Sequence, residues 1–150
     1  VEHRTLEHWY LDKQGILLNW REWRSQLPAM GIDAACKEVA TWWAFVPMVT
    51  KGLDPWRNDS WPDPWTLVSK AEFTPNEQGL GMFYSLTLAG IECSLVMAIV
   101  NDEKQPRLMV LLPDKRLLNY YDKKIILLEE ANIQLLSVWT PQDLETLIKV

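Results

Sequence analysis

The sequence predicts an α+β protein in which a central helix packs on a C-terminal antiparallel β-meander, with a helical and irregular N-terminal half. Three observations carry this. A strong helix start at Thr74-Pro75-Asn76-Glu77 opens an apolar run. Beyond Ile91 the pattern changes to short β-branched and apolar runs separated by polar turns. Before residue 70 the chain is rich in tryptophan, proline and aspartate, which breaks regular structure into short pieces.

The elements follow in order. Residues 5–26 mix aromatic and charged side chains. Leu17, Trp20, Trp23 and Arg24 fit one helical face, whereas Gly15 and the dense aromatics fit it poorly, so residues 1–30 remain open between helix, strand and an extended arm or interface segment. Ile32, Cys36, Val39, Ala40 and Trp43 recur at helical spacing, with Asp33 as expected N-cap and Pro47 as stop. Residues 52–65 hold three prolines, three tryptophans and three aspartates, a composition for an ordered loop pinned by its indoles. Asp63 and Pro64 then read as cap and first residue of a short helix to Ser69.

At Thr74 the signals coincide: a capping threonine, proline at the first helical position, and Glu77 completing a capping box. Gly90 ends this helix, and Gly79 and Gly81 inside it imply close approach by a neighbour. Strands are expected over 92–100, 107–112, 117–121 and 133–138. Thr140-Pro141-Gln142-Asp143 repeats the cap-plus-proline pattern and should start a last short helix.

One domain over 1–150 accommodates all of this. The net charge of −5 and the absence of any long Lys/Arg run argue against nucleic acid as a partner. No apolar stretch reaches the length of a membrane span, and no secretory leader pattern opens the sequence. Cys36 and Cys93 sit in apolar patterns without metal-ligand spacing, which fits a reducing compartment. The only histidines, His3 and His8, lie at the start of the sequence, far in sequence from either thiol. The acidic groups Asp54/Asp59/Asp63 and Asp102/Glu103 read as caps and solubilisers of turns. No catalytic residue, metal site or cofactor site is therefore expected.

Nine tryptophans are more than a core of this size needs, and tryptophan anchors many interfaces. Trp9, Trp20, Trp23, Trp56, Trp61 and Trp65 are the candidate contact residues.

Two resemblances extend this reading. Trp42-Trp43-Ala44-Phe45-Val46-Pro47, Asp54-Pro55, Trp61-Pro62-Asp63-Pro64-Trp65-Thr66-Leu67, Leu80-Gly81-Met82-Phe83-Tyr84-Ser85-Leu86 and Leu117-Leu118-Asn119-Tyr120 together resemble small structural proteins of tailed bacteriophages. That resemblance implies a non-enzymatic virion part of the tail, baseplate or head-to-tail connector. It would be assembled in the host cytoplasm as a symmetric homo-oligomer against other virion proteins.

A helix feeding an antiparallel sheet is also similar to the transglutaminase and papain-like superfamily, in which a nucleophilic cysteine opens the central helix and a histidine follows on the sheet. Here Thr74-Pro75-Asn76-Glu77 opens the helix, and the strands up to Tyr121 hold no histidine, so no catalytic residue carries over. The rival functions are a Cys-dependent transglutaminase- or amidase-like enzyme and a Trp-lined module for sugar or peptide.

Overall fold

A computed structural model describes Trp9 and residues 11–101 and 103–148. Among them are five helices, α1 (Lys13–Met30), α2 (Ile32–Ala44), α3 (Pro64–Ser69), α4 (Pro75–Leu88) and α5 (Glu145–Ile148). Five strands, β1 (Ser94–Val100), β2 (Pro106–Leu111), β3 (Arg116–Tyr121), β4 (Lys124–Leu127) and β5 (Ile133–Trp139), form one antiparallel sheet in the order β4-β3-β2-β1-β5. The α+β class and the central helix on an antiparallel sheet are as the sequence predicts.

Helix α4 is the hub. Every residue from Glu77 to Leu86 is buried, the condition of a helix enclosed on all sides. Its two inner glycines explain how. A Cβ on Gly79 would run into the backbone carbonyl of Leu108 on β2, and one on Gly81 would enter the ring of Trp43. The glycines thus seat α4 against the sheet on one side and α2 on the other.

The segment left open by the sequence is helical over most of its length, and four details depart from expectation. Residues 13–30 are helical, capped by Asp12 Oδ1 on Gly15 N at 2.8 Å, with Pro28 in the last turn, where it interrupts little of the helix. Gly31 (φ 86°) precedes α2, placing Asp33 inside its first turn and not at the cap. Strand β4 was not foreseen, because Lys124–Leu127 is too short for its alternation to register. Finally β5 does not extend the meander beyond β4. It crosses to pair with β1, so that the chain leaves one edge of the sheet and returns on the other. The Thr140–Asp143 signature does form its reciprocal bonds, Thr140 N to Asp143 Oδ2 at 2.9 Å and Asp143 N to Thr140 Oγ1 at 3.2 Å, but the helix begins later, at Glu145.

Two apolar cores result. The larger lies between the helices and the sheet. The smaller, with Val96, Ala98, Val100, Met109, Leu117 and Tyr120, lies on the opposite sheet face. Tyr120 ties this second core to the crossing segment: its hydroxyl donates to Asn101 Oδ1 at 3.0 Å and accepts from Asn132 N at 3.2 Å.

Candidate functional site

At the N-terminal end of α4 the surface opens into a cleft of about 580 Å³. Thr50, Lys51, Gly52 and Leu53 form one wall, Thr74, Pro75 and Asn76 the floor, and Glu103, Gln105, Pro106 and Arg107 the other wall. The first wall is fixed because the chain beside it pairs with Phe73: Val49 N donates to Phe73 O at 2.8 Å and Phe73 N to Pro47 O at 2.9 Å.

The floor is held by two polar devices. In the first, the capping box, Thr74 N donates to Glu77 Oε1 at 2.9 Å and Glu77 N to Thr74 Oγ1 at 3.3 Å. The Glu77 carboxylate is fully buried, and its Oε2 accepts from the Lys70 ammonium. A buried carboxylate needs such a complete set of donors, since an unpaired one would be expelled or protonated. The second device is a pair of asparagines. Asn76 Oδ1 accepts from Leu108 N at 2.9 Å, and Asn119 Nδ2 donates to both Pro75 O at 2.9 Å and Leu108 O at 2.8 Å. Asn119 holds a left-handed backbone (φ 74°) in the middle of β3, which asparagine tolerates better than most residues. On the far wall Arg107 is braced by Tyr120 O at 3.0 Å and Glu103 Oε1 at 2.7 Å.

Neither thiol reaches this cleft. Cys36 and Cys93 are buried in the larger core. Burial pushes both thiols up, Cys93 to about 12, the opposite of what an attacking thiolate requires. His3 and His8 lie outside the described residues.

The six candidate tryptophans are distributed differently from a common contact face. Trp20 is fully buried, its Nε1 donating to Ser85 Oγ at 3.2 Å. Trp61 is buried, with Nε1 on Asp54 O at 2.9 Å and its ring edge-on to Trp139. Trp9 packs against Trp42 and Phe73. Trp23 is half-buried, stacked on Trp42 at 4.5 Å with Nε1 on Glu38 at 2.9 Å. Trp65 is half-buried against the core, and Trp56 stands 57% exposed. Five of the six therefore contribute to the chain's own packing.

The acidic groups act as the turns predict. Asp54 Oδ1 accepts from Trp56 N, Asp63 caps α3 through Thr66 N, and Asp59 lies 3.7 Å from Arg57. Asp102 lies outside the described residues. Among the described residues no three His, Cys, Asp or Glu side chains gather as a metal site would need. No described helix is long and apolar enough to cross a membrane.

This architecture, a central helix packed on an antiparallel sheet, has counterparts among solved structures. Two solved structures of LapG from Legionella pneumophila match it, each with a TM-score of 0.70. The calcium-bound form is 11% identical and covers 94% of this chain and 88% of that one. The other LapG structure is 12% identical, with coverage of 97% and 91%. No family model and no curated protein sequence matches the chain. At this identity the likeness is one of fold. The expectation of a non-enzymatic virion part is corrected by these matches, which are to LapG and not to a phage structural protein.

Missed from the sequence were Asn76 and Asn119 as a pair. The available signal was a single amide in each of two segments otherwise spent on capping and on apolar strand, and only the fold brings them together.

Proposed function

We propose that this protein handles peptide chains through the cleft at the start of α4, binding an extended segment between the walls at 50–53 and 103–107. The observation that carries this is the position of the cleft. It lies where the central helix of the transglutaminase-like class meets the sheet, and its floor is pre-set by the asparagine pair and the Thr74–Glu77–Lys70 group. Pre-set polar floors favour ligands whose own backbone supplies donors and acceptors.

The test is chemical-shift mapping with a random hexapeptide mixture on the wild type and on Gln105→Trp. Gln105 is exposed on the cleft wall, so the indole would fill the cleft without entering the core. Shifts confined to the cleft and lost in Gln105→Trp support the reading. Shifts elsewhere, or shifts that persist in the variant, overturn it.

A second reading is acyl transfer in the same cleft. The fold class favours it, as does one contact: the Thr74 hydroxyl lies 3.2 Å from Glu77 Oε1, at the end of the helix where the class keeps its nucleophile. Hydrolysis of a fluorogenic peptide library that is lost in Thr74→Val supports this reading, whereas no hydrolysis above background sinks it.

A further inference from the structure

Strand β5 ends the sheet, and among the described strands it pairs with β1 alone. Its residues, Ile-Gln-Leu-Leu-Ser-Val-Trp, include neither charge nor proline, two of the usual means by which an edge is kept from pairing further. The register shift at Met97/Ala98 leaves Leu136 as the extra residue of a bulge, so the edge bends there, but it is not otherwise protected.

Side-chain placement sharpens the point. Ile133, Leu135 and Val138 stand opposite Val100, Ala98 and Val96, all three of which belong to the second core. Directly paired residues share a sheet face, so β5 carries that core outward to the edge. There Leu135 is 43% exposed, Leu136 37% and Val138 51%. The second core is unfinished on this side.

Charge decides what completes it. From Ile125 to Ile148 the chain has no Lys or Arg, and β5 is flanked by Glu129 and Glu130 before it and by Asp143 after it. Two copies paired antiparallel along β5 would set the acidic start of one strand beside the acidic end of the other, a like-charge arrangement that opposes self-pairing. A partner strand with basic flanks meets complementary charge at both ends.

We propose that the β5 edge receives an extended segment of another protein, apolar at alternate positions and flanked by Lys or Arg, as a sixth strand. The main chain supplies the ladder bonds, and Leu135 and Val138 receive the partner's apolar side chains.

The experiment is fluorescence anisotropy with two labelled peptides of alternating valine and threonine, one with lysine pairs at its ends and one with glutamate pairs. It is run on Gln105→Trp, so that binding in the α4 cleft does not contribute. The lysine peptide should bind at least about tenfold more tightly, with affinity falling as salt rises. Both Leu135→Lys and Val138→Lys should remove binding while the variants keep a folded circular dichroism spectrum, since both side chains are partly exposed. Equal binding of the two peptides, no binding, or binding that survives both substitutions overturns the proposal. So does a concentration-dependent dimer in sedimentation that either substitution dissolves, which would make a second copy the occupant.

Discussion

The Trp43 indole donates to the Ser85 hydroxyl at 3.1 Å, and the same oxygen accepts from Trp20 at 3.2 Å while donating to Gly81 O at 2.8 Å. One small side chain on α4 thus satisfies the two largest buried rings, one from α1 and one from α2. Ser85→Ala would strand two buried N–H groups, at about 1–3 kcal/mol for each. The expected result is a loss of about 2–6 kcal/mol in urea unfolding, with an unchanged m-value. A loss below about 0.5 kcal/mol would show that the indoles find other partners.

Gly79 and Gly81 should differ in what they tolerate. Gly81→Ala presses on the Trp43 ring, a buried side chain, whereas Gly79→Ala presses on the backbone of β2, which is locked into the sheet. Alanine favours helix by about 1 kcal/mol, yet overpacking costs about 1–3 kcal/mol. Both variants should therefore be destabilised, Gly79→Ala more. Thermal melts compare them directly, and a stabilised Gly79→Ala would refute the close approach.

Asn119 joins strain to hydrogen bonding. Asn119→Ala keeps the left-handed backbone with a poorer residue and loses both amide bonds, whereas Asn119→Gly loses the bonds alone. Alanine should be the less stable by about 1 kcal/mol. Equal stabilities in denaturant titrations would show that the backbone relaxes there.

The thiols predict an alkaline limit. Cys93 is shifted by burial from an ordinary value of 9.0 to about 12, and Cys36 is raised as well. A raised acid keeps its contribution to stability below the unfolded value and loses it as pH climbs towards the folded one. Stability should thus be flat with respect to Cys93 below about pH 9 and fall by up to about 1.4 kcal/mol per pH unit above it. Cys93→Ala should flatten that decline. An iodoacetamide reaction with native protein near neutral pH as fast as with a free thiol would contradict the burial.

What the sequence revealed and what it hid divide along a physical line. Local rules were legible: Thr74 with Glu77 and Asp63 with Pro64 act within one turn of chain, so their signals sit side by side. The glycines of α4 announced close packing but not its partners, since Trp43 and Leu108 lie far away in sequence. Tryptophan count did not say which rings turn inward, because that depends on Ser85, Glu38 and Asp54 O, which satisfy indole N–H groups inside the chain. The cleft was illegible for a related reason. Its polar floor depends on Asn76 and Asn119 meeting across Leu108, and neither residue signals the other.

The placement of β5 also has a kinetic side. Its partner β1 is separated from it in sequence by β2, β3 and β4, so Val100 meets Ile133 only after that whole loop has closed. Such non-local pairings form late, because the entropy of closing the loop is lost before the contacts form. A chain folding from its N-terminus would therefore show a bare β1 edge after the central helix and first three strands have assembled, until β5 docks.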